Sequence, residues 1–155
     1  MDISFFRYIS DLFTIINMSI GITSLDRSLS NSIEWLNDVQ EELKWPDKDR
    51  IYAATKAVLN TLRDCMTVEE VHQFSAQIPM VWTGMMFDGY DPSGKPIRMK
   101  HDEFLKAVSD KFGPNPIDAG KATKAVAKVL KEKISEGQYE DMVGNLPSDT
   151  KPLFT

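Results

Sequence analysis

Ala54-Thr55-Lys56-Ala57-Val58 returns later in the chain as Ala122-Thr123-Lys124-Ala125-Val126. The two segments stand 68 positions apart, from 54 to 122, and the offset holds without a gap to Pro79 and Pro147. Leu62 then faces Leu130, Met66 faces Ile134, Phe74 faces Met142 and Ile78 faces Leu146. Upstream the register slips by one residue, so that Trp35, Leu36, Val39 and Leu43 match Phe104, Leu105, Val108 and Phe112. Apolar type is kept at nearly every pair, which is the mark of a tandem repeat.

Each copy reads as three helices and a short tail. Ile51, Ala54, Val58 and Leu62 recur at helical spacing, as do Ala122, Val126, Val129 and Leu130. Helix-start chemistry repeats too. Asn31 with Glu34, Thr67 with Glu70 and Ser135 with Gln138 place a capping side chain three residues before an acid or amide. Asp47 or Asp49 can open the second helix of the first copy, and Asn115-Pro116 fits an N-cap followed by proline. Trp45-Pro46 and Gly113-Pro114 close helices. No segment alternates as a strand does. The expected fold is all-α: a tandem duplication of a three-helix unit packed as a helical bundle, with an extra amphipathic helix at the N-terminus.

That extra helix is carried by Phe5, Ile9, Leu12, Phe13, Ile16 and Ile20, with Gly21 as its stop. Arg7, Ser10, Asp11, Thr14 and Asn17 break the apolar run, so it suits neither a membrane span nor a signal peptide. Few basic residues lie on its polar face, which argues against peripheral membrane contact. The expected division is 1–30 for this helix and a serine-rich connector (Thr23–Ser32), 31–87 for the first repeat, 88–100 for a Gly/Pro connector and 101–155 for the second repeat.

Composition limits the chemistry. The chain has 155 residues, 42% of them hydrophobic and 26% charged, as in a soluble globular protein. A chain this long buries roughly 70% of its unfolded surface and needs no metal or disulfide to hold a core. One cysteine, Cys65, excludes an internal disulfide and a cysteine-based zinc site. A net charge of −5 gives no basic footprint for nucleic acid. The cytoplasm is the expected compartment.

Individual motifs are weak. Gly89-Tyr90-Asp91-Pro92-Ser93-Gly94-Lys95 fits the first part of a phosphate-binding loop, but Pro96 replaces the Ser or Thr that would bind magnesium. Proline also removes an amide donor there. Asp88, Tyr90 and Asp91 lack calcium-loop spacing. His72 aligns with Glu140, a polar surface position, and His101 sits beside Asp102 near a helix start. Neither has partners at zinc-ligand spacing. Cys65 has no activating base nearby in sequence and reads as packing. Glu41-Glu42, Glu69-Glu70 and Asp102-Glu103 are adjacent on helices and face different ways. Lys121, Lys124, Lys128 and Lys131 form one basic stripe, either a solvated face or a contact for an acidic surface such as the Glu41-Glu42 region of another subunit. Met80, Val81, Trp82, Met85, Met86 and Phe87 have no apolar counterpart at the start of the matching stretch, which reads Ser148-Asp149-Thr150-Lys151. This segment is either a core plug between the repeats or an adaptable methionine-rich groove.

The blocks AATKAVLNTLRDCMTVEEVHQFSAQIPMVW, DPSGKPIRMKHDEFLKAV and ATKAVAKVLKEKISEGQYEDMVGNLPSDTKPLF resemble the bacterial family called domain of unknown function 2267. The shared features are the Ala-Val-Leu helix, the Gln77-Ile78-Pro79 turn, the connector, and a second copy ending in Leu146-Pro147 and Leu153-Phe154. Tyr90 departs from the tryptophan common in the family. The resemblance covers about residues 31–155 and implies an all-α, bacterial, soluble protein. It transfers no catalytic residue.

The expected function is therefore non-catalytic: protein–protein interaction or self-association, as a homo-oligomer or with an unidentified protein partner. No cofactor, metal, nucleic acid or membrane is expected. The expected interaction surface is Phe5, Ile9, Phe13, Ile16, Met80, Trp82, Met85, Met86 and Phe87. The alternative is a small-molecule-binding protein or enzyme with a pocket between the repeats, which needs a lined cavity there.

Overall fold

The computed structural model describes residues 3–5, 7–9 and 19–155, and every regular element among them is helical. Residues 3–5 and 7–9 lie in helix. Helix α1 spans Thr23–Leu43. This corrects the reading of Thr23–Ser32 as a connector and of Asn31 as a helix start. Leu25, Leu29, Ser32, Leu36, Val39 and Leu43 form one stripe at spacings of three and four, turned at least partly away from solvent. The serines cooperate with it: Ser28 Oγ donates to the Ser24 carbonyl at 2.9 Å and Ser32 Oγ to the Ser28 carbonyl at 2.8 Å. A tertiary stripe thus overrides a composition that suggests a loop. The entry is fixed by Asp26, whose carboxylate accepts from the Ile20 amide at 2.9 Å and the Ser19 hydroxyl at 3.2 Å. Gly21 supplies the turn with φ +78°.

Helix α2 spans Lys48–Asp64 and starts at Asp47, which accepts from the Asp49 and Arg50 amides. Helix α3, Val68–Ser75, opens on a complete capping box between Thr67 and Glu70. Helix α4, Met80–Phe87, follows directly after Pro79. An extended connector leads to α5, His101–Phe112, which Gly113 terminates. Helix α6, Ala119–Lys133, starts at Asp118 and not at Asn115: the Asp118 carboxylate accepts from the Lys121 amide at 2.9 Å. Helix α7, Glu136–Gly144, is capped by Ser135 through the Gln138 amide. A 3₁₀ turn, Lys151–Leu153, comes last.

Helices α2 and α6 touch at the centre of the fold. Helix α1 packs on α6, and α5 packs on α2. Helix α3 meets α7, α4 covers α2 and α1, and the 3₁₀ turn covers α6. Ala54, Val58 and Leu62 are fully buried, as are Ala122, Val126 and Leu130 at the matching positions. Phe74 and Met142 are buried alike, and all of these belong to one continuous hydrophobic core.

Candidate functional site

The methionine-rich segment lies mostly inside. Trp82 is fully buried, its indole N–H donates to the Ser32 carbonyl at 3.2 Å, and its ring meets Trp35 edge-on at 5.2 Å. Met85 and Met86 are buried with it. These three residues therefore drop out of the expected interaction surface. Helix α4 covers α1 and α2, and its large side chains are the cover. Nor is the element without a counterpart, because at the 68-residue offset Met85 and Met86 match Leu153 and Phe154, which are buried too. The segment packs chiefly on α1 and α2. Met80 is 56% exposed. Phe87 is half-buried, with its ring 5.7 Å from His72 and 5.9 Å from Tyr90.

At the N-terminal segment Phe5 is 59% exposed and Ile9 half-buried, while Phe13 and Ile16 lie outside the described residues. Ile3 and Tyr8 are 85% and 65% exposed, and Ile20 and Ile22 also face solvent. Apolar side chains therefore crowd the surface here.

Sequence reasoning missed a buried ionic cluster at the end of α2. Arg63 is 4% exposed and Asp64 5%. The Arg63 guanidinium donates to Asp64 Oδ1 at 3.0 Å and to the carbonyls of Met86 at 2.7 Å and Asp88 at 3.0 Å. It also lies over the Tyr90 ring at 5.0 Å. Lys111 of α5 donates to Asp64 Oδ2 at 3.0 Å, and the Asp64 carbonyl accepts from the Ile97 amide at 2.8 Å. One cluster thus satisfies the last carbonyls of α4 and fastens the connector and α5 to α2. No local signal could have revealed it. Arg63 and Asp64 align with Lys131 and Glu132, which are exposed, and α4, the connector and Lys111 together make the difference.

This cluster also settles the phosphate-loop look-alike. Gly89 and Gly94 serve turns with φ +67° and +70°, Tyr90 packs beneath Arg63, and the chain stays non-helical until His101. Cys65 is buried, and desolvation pushes its thiol up to about 11, so it is neutral near pH 7. His72 is exposed, and His101 Nδ1 lies 2.9 Å from Asp102. Among the described residues no three His, Cys, Asp or Glu side chains converge as metal ligands.

The surface depressions are open. One of about 470 Å³ lies between α3 and α7, over Met66 and Met142. Its Glu70 is already engaged, accepting from the Thr67 amide and from Asn145 Nδ2 at 2.5 Å. A second, of about 610 Å³, lies between α6 and the C-terminal turn, with Lys124, Lys128 and Lys131 beside Ala127, Tyr139 and Leu153. The Lys128 ammonium meets Glu42 of the same chain at 2.6 Å, so the contact expected of another subunit is made internally.

Together these features define an all-α scaffold with one continuous hydrophobic core and several exposed apolar side chains near the start of the sequence. The chain belongs to the family of uncharacterized conserved proteins known as domain of unknown function 2267, whose model matches residues 33–153. No curated protein shows significant similarity to it. No helix among the described residues is long and apolar enough to cross a membrane.

Proposed function

We propose that the protein is a non-catalytic helical interaction module of the bacterial cytoplasm that self-associates through its N-terminal segment. The carrying observation is the exposure of Ile3, Phe5, Tyr8, Ile20 and Ile22 outside the buried core. Burial of a large apolar side chain is worth roughly 1.5–3 kcal/mol, so a second copy that covers several of them gains a useful driving force. The short turn Ser19–Ile22, with Gly21 in it, is the place where the segment can swing relative to α1.

In this reading the scaffold is a tandem duplication packed about an approximate twofold axis. Reciprocal packing supports it. Helix α1 on α6 answers α5 on α2, while α2 meets α6 and α3 meets α7 across the axis. The Trp82 bond to the Ser32 carbonyl has an analogue in the Thr150 hydroxyl bond to the Met99 carbonyl at 2.8 Å. Side chains of both halves join one continuous core, and the depression between α3 and α7 is open and lined mostly by polar residues, which favours this reading over a closed apolar ligand pocket.

The test is removal of residues 1–18, which leaves the Asp26 lock on Ser19 and Ile20 intact. Light scattering should find the full chain dimeric and the truncated chain monomeric and folded. A monomeric full chain, or a truncated chain that stays dimeric, overturns the proposal.

A further inference from the structure

The N-terminal segment of a single chain leaves two aromatic side chains uncovered. Arg7 borders a depression beside Asn37, Gln40 and Lys44 of the α1 end, and in this position Phe5 and Tyr8 both face solvent. They stand three apart in helical backbone, so they project from one face. Whatever covers that face must offer apolar surface of its own.

Such surface lies over α2 and α4. A shallow depression of about 530 Å³ is lined by Tyr52, Val81, Gly84 and Phe87, with the Lys56–Asp88 ion pair at its rim. Tyr52 is 41% exposed, and Val81 and Phe87 are half-buried. Met80, exposed as well, stands one turn before Gly84 on the same face of α4. Two features separate this face from one that folding alone requires. At the 68-residue offset Tyr52, Met80, Val81 and Phe87 match Gly120, Ser148, Asp149 and Thr155, so the second stretch builds its core without apolar groups at these places. Gly84 lies in the middle of α4, and a Cβ added there would meet nothing within 4 Å. The other helical glycines among the described residues, Gly120, Gly137 and Gly144, stand at the ends of their helices. Glycine is a poor helix former, and no contact within the chain calls for one at position 84. It leaves room for a second backbone to come close.

We propose that this face of α2 and α4 receives the Phe5–Tyr8 face of a second copy, which in turn receives the first copy's segment. The inference rests on self-association through the N-terminal segment and names the surface that the segment meets. Reciprocal contacts of this kind close a twofold dimer. A half-exposed aromatic or methionine side chain loses on the order of 100 Å² when covered. With Phe5, Tyr8, Tyr52, Met80 and Phe87 in each of two symmetric contacts, the total reaches about 1,000 Å², the lower bound for a specific interface. Aromatic and methionine side chains are also the types enriched in such contacts.

The experiment uses full-length variants and light scattering over a concentration series, which reads the dimer dissociation constant. Tyr52→Glu/Met80→Glu should raise it at least tenfold while the melting curve stays that of the parent, because both side chains face solvent. Gly84→Leu should raise it at least tenfold without lowering the melting temperature. Val68→Glu/Ile97→Glu, the same charge change at comparably exposed apolar residues elsewhere, should alter it less than threefold. In a mixture of Phe5→Cys and Met80→Cys chains, a bismaleimide should join the two variants at least fivefold more than it joins either to itself. A monomeric parent defeats self-association and this inference with it. A dimeric parent whose constant rises less than tenfold in Tyr52→Glu/Met80→Glu or in Gly84→Leu, or rises as much in Val68→Glu/Ile97→Glu, overturns the seat alone. So does closure of the cross-link within single chains of Phe5→Cys/Met80→Cys, which makes the chain's own segment the occupant.

Discussion

Replacement of Arg63 by methionine removes its charge and four hydrogen bonds but keeps an unbranched stem over Tyr90. The bonds lost run to Asp64, Met86, Asp88 and Asn60, at distances of 2.7–3.3 Å. Two magnitudes compete. A surface pair is worth about 0–1 kcal/mol, whereas removal of one partner from a buried pair costs about 3–5 kcal/mol. Arg63 and Asp64 are both buried, and so is the bond from Arg63 to the Met86 carbonyl. The larger figure should therefore hold, less whatever Lys111 recovers for Asp64 from its half-exposed position. Urea denaturation followed by circular dichroism at neutral pH reads it. With an m-value of about 2 kcal/mol/M the midpoint should fall by about 2 M. The double variant Arg63→Met/Asp64→Asn should be at least about 1 kcal/mol more stable than the sum of the single losses implies, because it leaves no stranded charge. A loss for Arg63→Met below about 1 kcal/mol, or strict additivity in the double variant, refutes the assignment of a buried ionic cluster.

Two further outcomes follow from the core. Leu62→Ala and Leu130→Ala should each cost about 2–5 kcal/mol, since both side chains are fully buried at matched positions, and a loss below about 1 kcal/mol in either would contradict that placement. The Cys65 thiol rises from 9.0 to about 11 on folding, chiefly through desolvation, so between those values the folded state keeps a proton that the unfolded state gives up. Stability should therefore decline as pH rises through this window, by up to about 2–3 kcal/mol from this group. Cys65→Ala should flatten that decline in denaturant midpoints measured from pH 8 to 11, and an unchanged slope would remove the thiol as its cause.

Much of the local architecture was legible because it rests on local chemistry. Thr67 with Glu70 announces a helix start through two reciprocal hydrogen bonds, both formed within four residues of chain. Val58, Leu62, Val126 and Leu130 announce a buried face because helical spacing places them on one side. Even the counterpart of α4 was present in the sequence. Leu153 and Phe154 repeat Met85 and Met86 at the 68-residue offset, but a polar run ahead of them obscured the match.

The sequence by itself determined the helical class, the buried helix faces, the helix starts at Asp47, Thr67 and Ser135, and the absence of a cysteine framework. Each is a consequence of spacing or of side chains bonding to nearby backbone. Tertiary structure alone decided which charges are buried and where the methionine-rich segment goes. Arg63 and Lys131 stand 68 positions apart in the aligned segments, and one is sealed in the interior while the other is solvated. The guanidinium of Arg63 suits several acceptors at once, but they come from distant segments: α4 supplies the Met86 carbonyl, and the connector returns past Asp64 with the Ile97 amide bonded to its carbonyl. Burial depends on which distant segment covers a surface, and helical periodicity carries no information about that.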